Sequence, residues 1–219
     1  EVRAWSNDGG VFTPWTVGSA LPGVAALAVA DLDDDGDLDL VAAVPGEGRA
    51  AWFENLTGDA TLWLEHPVVA TLSAPSAVAT GDLDDDGDID ILATSTGTNA
   101  VVACLNDGLG IFTVSPVGSI GAPGSVATAD TDRDGDLDVI GAGGNPGEAA
   151  YFAQDSGTYG DVTLTAQGSN LVAAVLADLD KRAGGVFAAT VRSLRNADAS
   201  RVVNACTIWA SVLVPASYL

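Results

Sequence analysis

The sequence contains no methionine, a single histidine and only eight lysine or arginine residues in 219. Each shortage removes a class of function. With so few bases there is no cationic stripe to release phosphate counterions, so a nucleic-acid partner is not expected. One histidine cannot form a zinc cluster, and any Ser-His-Asp triad would have to be built on His66. His66 precedes Pro67 in a segment that reads as an outer strand, where a solvated or hydrogen-bonded structural role is expected. No apolar run reaches the roughly 18 residues of a membrane-spanning helix, and no N-terminal signal peptide is visible. A chain that starts at Glu1 and lacks methionine reads as a processed product or a piece of a longer chain or complex. Cys104 and Cys206 are too few for a disulfide framework; two buried thiols are expected, with a pair as the alternative. No segment keeps a 3.6-residue hydrophobic period for three turns, so helix is expected to be nearly absent.

What the chain has in quantity is acid, and the acid is concentrated. The formal net charge is −22, yet 47% of residues are hydrophobic and 17% charged, a balance that argues against disorder. The length suits one domain, or a large part of one, with chain enough to bury a core. Asp31-Leu32-Asp33-Asp34-Asp35-Gly36-Asp37-Leu38-Asp39 returns as residues 82–90 and again as 130–138. These three D-x-D-x-D-G-x-x-D stretches hold 17 of the 30 acidic residues. Outside them 13 acids face seven bases, leaving about −6, ordinary for a folded domain. The acidity is a property of the loops.

The loops also set a period, the first thing to establish in a repetitive chain. Their first Asp falls at 31, 82 and 130, and a worn copy begins at Asp178. A second landmark keeps the same phase: Trp5, Phe53, Cys104 and Phe152 each precede by two residues a polar turn starting at Asn7, Asn55, Asn106 or Gln154. Within a unit, short apolar runs are separated by Gly, Asn, Asp and Pro, the strand and turn signals. The predicted strands are Val24–Ala30, Leu40–Val44, Ala50–Glu54 and Leu62–Leu72; then Ala77–Thr80, Ile89–Ala93, Ala100–Leu105 and Ile111–Val117; then Val126–Ala129, Leu137–Gly141, Ala149–Ala153 and Val162–Thr165. Four short strands in roughly 50 residues is the size of one propeller blade. The expected fold is therefore an all-β β-propeller or a fragment of one, with about four and a half blades. Residues 1–19 form a partial blade, 20–72, 73–119 and 120–167 are repeats with acidic loops, and 168–219 is a degenerate repeat.

Oxygen-only ligation by several carboxylates suits a hard cation with many flexible ligands, which is Ca²⁺ rather than Mg²⁺. The expected side-chain ligands are Asp31, Asp33, Asp35 and Asp39; Asp82, Asp84, Asp86 and Asp90; and Asp130, Asp132, Asp134 and Asp138. Asp37, Asp88 and Asp136 would contribute mainly backbone carbonyls, while Gly36, Gly87 and Gly135 permit the sharp turn. An EF-hand fails, because its bidentate Glu at position 12 is here Ala42, Ala93 or Gly141. In the fourth copy Arg182 takes the third carboxylate position, Ala183 the glycine and Val186 the last Asp, so three Ca²⁺ sites are expected rather than four.

The residues that carry a family resemblance are Val29 to Asp39, Trp52 to Asp59 and Leu105 to Phe112: apolar strand, acidic loop, apolar strand, then a turn built on Asn and Gly. This unit resembles the FG-GAP/VCBS repeats of integrin-α-like β-propellers over about residues 1–167, and more loosely over 168–219. The resemblance implies a Ca²⁺-stabilised propeller, extracellular, at the cell surface or in the secretory lumen, used in adhesion or in recognition of a protein or glycan ligand.

Little else in the sequence suggests catalysis, so no enzyme activity is expected. The abundant carboxylates are taken up by metal ligation, and Gly141-Ala142-Gly143-Gly144 lacks the lysine and strand–helix setting of a phosphate loop. Asn55-Leu56-Thr57 is an N-glycosylation sequon on an expected exposed turn, a weak pointer to a secretory route. Trp5, Trp15, Trp52, Trp63 and Tyr151 recur around third and fourth strands, where inter-blade packing is expected; the alternative is a sugar- or peptide-binding cleft.

Overall fold

The computed structural model describes residues 1–18, 21–69, 71–130, 134–144, 148–155, 157–164, 171–177, 187–192 and 209–212. All regular structure among them is β. In chain order the strands are β1 (Val2–Asp8), β2 (Val11–Gly18), β3 (Ala26–Ala30), β4 (Asp39–Val44), β5 (Arg49–Asn55) and β6 (Trp63–Val69). They continue with β7 (Pro75–Gly81), β8 (Asp90–Ser95), β9 (Ala100–Asn106), β10 (Phe112–Ser119), β11 (Pro123–Ala129) and β12 (Asp138–Gly143). The last are β13 (Glu148–Asp155), β14 (Thr158–Leu164), β15 (Leu171–Ala177), β16 (Phe187–Arg192) and β17 (Trp209–Val212).

Each sheet is an antiparallel meander of consecutive strands: β3 to β6, β7 to β10 and β11 to β14 are four-stranded, β15 to β17 three-stranded and β1–β2 two-stranded. The first strands of successive sheets lie beside one another, β3 against β7, β7 against β11 and β11 against β15. This is the radial stacking of β-propeller blades, built as expected from four short antiparallel strands per unit.

Burial follows from that stacking. Strands β8 and β12 are buried along their whole length, and β4 nearly so, because each is the second strand of a sheet covered on both faces. Such a strand needs continuous apolar sequence rather than alternation, and Val41-Ala42-Ala43-Val44 and Ile91-Leu92-Ala93 supply it with small side chains that let sheets approach closely. One apolar cluster joins Val41, Trp52 and Val68 of the first full sheet to Val78, Ile91 and Cys104 of the second. Another joins Leu92, Val101 and Ala103 of the second to Val126, Val139 and Phe152 of the third. Phe53 and Phe152, the phase-keeping apolar residues, are 1% and 0% exposed. Full burial of such a ring is worth about 3 kcal/mol at most. Gly118 makes room for Phe152, since a Cβ there would run into the phenyl ring of the next sheet.

Outer strands tolerate proline because they are sheet edges. Pro67 and Pro116 sit at equivalent positions of β6 and β10, and the register shifts beside each. The outer strand of the first full sheet consequently covers Trp63–Val69, shorter than the 62–72 run in the sequence. Cys104 is a free buried thiol, its pKa pushed up to about 12 by burial, hence inert. Cys206 lies outside the described residues.

Candidate metal centre

The acidic stretches occupy the connections from β3 to β4, β7 to β8 and β11 to β12. Their shape is set by short local hydrogen bonds and two left-handed residues. Asp34 and Asp85 adopt φ of 57° and 60°, a conformation that aspartate enters more readily than most residues. Gly36, Gly87 and Gly135 follow with φ of 92°, 98° and 104°. These turn glycines do the work that the sequence pattern assigns them.

The backbone then wraps around the carboxylates. Asp31 Oδ2 accepts from the Gly36 amide at 2.9 Å, and Asp82 Oδ2 from the Gly87 amide at 3.0 Å. Asp35, Asp86 and Asp134 each accept from the amide two residues on, at 2.9, 3.0 and 3.0 Å. The result is that Asp31, Asp33 and Asp35 bring one oxygen each within 4.8 Å of one another, as do Asp82, Asp84 and Asp86. In the third loop Asp132 lies outside the described residues, as do Asp178, Asp180 and Arg182 of the worn copy.

The clustered carboxylates raise one another's pKa. Burial, then the charges of Asp39 and Asp35, raises the pKa of Asp33; burial, then Asp86 and Asp82, raises that of Asp84. Asp31 Oδ1 and Asp33 Oδ1 are buried and accept no hydrogen bond. Buried acceptors without donors are costly, and a positive ion among three carboxylates would satisfy both. An all-oxygen donor set of this kind fits Ca²⁺.

The last Asp of each loop is placed differently from the first three. Asp39 Oδ2 accepts from the Leu32 amide at 3.2 Å and Oδ1 from the Asn55 amide at 2.8 Å. Asp90 does the same with Leu83 at 2.6 Å and Asn106 at 2.7 Å, and Asp138 holds the Gln154 amide at 2.9 Å. Asp39, Asp90 and Asp138 are 1%, 0% and 0% exposed. They clamp the loop to the end of the third strand, sixteen residues further on. Burial raises the pKa of Asp39 and lifts that of Asp90 to about 6, against the two amides that favour its anion. Sequence spacing alone does not separate this clamp from the clustered carboxylates. Asp37 and Asp88 point their carboxylates at Gly58 and Gly108 of the following turn, where a Cβ would collide with them.

Several other residues are fixed by the structure. His66 Nε2 bonds Glu54 Oε2 at 2.6 Å and its ring stacks on Trp52 at 4.3 Å, the hydrogen-bonded structural role expected of it. Trp52 is buried, with Phe112 of the next sheet edge-on at 6.1 Å, so it packs between blades rather than lining a cleft. Asn55 corrects the expectation of an exposed sequon: it is 4% exposed, its Oδ1 accepts from the Ala60 amide at 3.2 Å and its Nδ2 donates to the Leu38 carbonyl at 3.4 Å. A side chain committed to closing the turn in this way is not presented for glycosylation. The sequence pattern also passes over a recurring aromatic: Phe12, Trp63, Phe112 and Tyr159 pair in register with Asn7, Asn55, Asn106 and Gln154.

Radially stacked antiparallel sheets, each full one carrying an acidic loop between its first and second strands, define a propeller-type repeat protein with loops able to hold a metal. The FG-GAP-like repeat family matches residues 31–93 and 82–141. Each match starts on the first Asp of one loop and runs to position twelve of the next, and together they span half of the chain. The chain belongs to the FG-GAP-like repeat family. No curated protein matches it in sequence. Among the described residues, no helix is long and apolar enough to cross a membrane.

Proposed function

We propose that the protein is a calcium-stabilised, integrin-like propeller module of an extracellular or secretory-lumen protein, acting by recognition of a protein partner rather than by catalysis. The observation that carries the metal part is the convergence of Asp31, Asp33 and Asp35, with two buried carboxylate oxygens lacking any donor. Asp82, Asp84 and Asp86 repeat the arrangement, and Asp130, Asp132 and Asp134 repeat it in sequence. When bound, Ca²⁺ would supply charge neutralisation and nothing more. The rest is done by the chain: Asp31, Asp82 and the turn glycines wrap the loop, and Asp39, Asp90 and Asp138 tie it to the sheet.

Preference for a protein over a glycan partner rests on the aromatic and aliphatic residues. Of the aromatics that the sequence offers for sugar stacking, Trp52 is 3% exposed and Trp5 57%. Leu109, Ile111 and Val114, at the outer edge of the second full sheet, are 81%, 64% and 49% exposed, with Leu56, Leu62 and Leu64 exposed at the equivalent edge of the first. These aliphatic side chains are the apolar surface that a protein partner would cover. The direct test is thermal unfolding with and without a calcium chelator. Binding to the native state at about 100 times its dissociation constant stabilises by about 2.7 kcal/mol, so chelation should lower the midpoint by several degrees. An unchanged melt contradicts the reading.

A further inference from the structure

One buried side chain touches two acidic loops at once. Asn106, which ends the third strand of the second full sheet, is 3% exposed. Its Nδ2 donates to the Leu32 carbonyl of the first loop at 2.7 Å and to the Ile89 carbonyl of the second at 3.1 Å. Its Oδ1 accepts from the Gly110 amide at 3.2 Å. Only this orientation of the side-chain amide suits all three partners, because a carbonyl can accept but not donate. The Asn106 backbone amide in turn donates to Asp90 Oδ1, the clamp of the second loop, at 2.7 Å.

The contact with the first loop falls inside its carboxylate cluster. Leu32 stands between Asp31 and Asp33, two of the three converging acids, and its own amide donates to Asp39 Oδ2 at 3.2 Å. The Leu32 side chain is keyed into the apolar cluster shared with the second full sheet, as Leu83 is into the cluster shared with the third. Asp31 and Asp33 therefore cannot close on an ion, or spread apart without one, independently of the Leu32 carbonyl between them. Moving that carbonyl off Asn106 leaves a buried donor short of its acceptor, which is costly. The next pair of loops is joined more weakly. Gln154 stands where Asn106 stands one unit earlier, and its Oε1 is buried without a donor. The Leu83 carbonyl takes Tyr159 Oη at 3.4 Å, beyond the ordinary range of such a bond.

We infer that Asn106 couples the first two acidic loops, so that the ions they hold are taken up cooperatively. The inference rests on the calcium reading of the loops. An ion in the first loop fixes Leu32, which fixes Asn106 and through it Ile89 and Asp90, so the second loop meets its ion already ordered. By linkage the effect runs equally in the other direction. Repulsion between the two ions opposes it, and salt screens that repulsion while leaving the buried hydrogen bonds in place. Each loop remains a site of its own; the coupling changes how tightly two ions are held and not how many.

The test is calorimetric titration with Ca²⁺ at about 0.5 M salt, in three variants that each keep two loops. Asp134→Ala keeps the first and second, Asp86→Ala the first and third, and Asp35→Ala the second and third. In Asp134→Ala the second ion should bind about fivefold or more tighter than the first, after statistical correction. In Asp86→Ala the two ions should bind independently, and in Asp35→Ala nearly so. Adding Asn106→Ala to Asp134→Ala should remove the cooperativity and still leave two ions bound. A second readout needs no change at position 106. In Asp86→Ala combined with Asp134→Ala, loading the first loop should slow hydrogen exchange of the Asn106 backbone amide about fivefold or more, although its own loop holds no ion. Independent binding in Asp134→Ala, or exchange at Asn106 indifferent to the first loop's ion, overturns the inference and leaves the calcium reading standing. Equal cooperativity between the first and third loops also overturns it, by assigning the coupling to the whole fold. Absence of any Ca²⁺ binding by the unaltered protein overturns both.

Discussion

Metal-free protein should become less stable as pH rises from about 4 to about 7, opposite to the usual behaviour of paired carboxylates. Asp90 is wholly buried, and its pKa stands at about 6 in the folded chain against an ordinary 3.8. Between these values the folded state holds a proton that the unfolded state has released. Stability from that proton is complete below about pH 4 and is lost as pH rises through about 6. Lifting one carboxyl from 3.8 to about 6 corresponds to on the order of 3 kcal/mol. Asp33, Asp39 and Asp84 are raised in the same direction by burial and add to the trend. General repulsion from the −22 charge has the same sign, so the melts belong at about 0.5 M salt, where exposed charges are screened and buried ones are not. With saturating Ca²⁺ the slope should reverse, because ligands must be deprotonated to bind. A metal-free melting midpoint that is flat or rises over this range refutes the reasoning.

Asp35→Ala should remove one calcium equivalent and leave the others, measured by titration calorimetry; loss of all at once would mean the loops do not act independently. Leu83→Ala should cost about 2–5 kcal/mol in chemical denaturation, as a buried leucine cut to a cavity between two sheets. Gly118→Ala should cost about 1–3 kcal/mol by driving a methyl into Phe152, and pairing it with Phe152→Leu should recover part of the loss, a coupling that a double-mutant cycle reads directly.

What the sequence makes legible is whatever lies within one unit. Apolar runs of strand length between Asn, Gly and Pro place the strands of the three full sheets within a few residues, because turn chemistry and strand pairing are both local. The loops are equally plain, since D-x-D-x-D-G fixes both the turn and the oxygen cluster. Features that depend on two units meeting are hidden. Asn55 looks like a turn-tip sequon until the structure shows its amide closing the turn. Trp52 looks like a candidate stacking face until His66 and Phe112 cover it. The clamp role of Asp39, Asp90 and Asp138 depends on an amide sixteen residues away, a partner that no spacing within the loop reveals. The keying of Leu32 and Leu83 into the next sheet is likewise a property of the stack, not of the motif.

The central claim is that the acidic loops are calcium sites, and calorimetric titration of chelator-stripped protein with Ca²⁺ tests it most directly. The account predicts saturable binding of three ions per chain, falling to two in Asp35→Ala and in Asp86→Ala. Absence of saturable binding, or binding that neither substitution reduces, would contradict it.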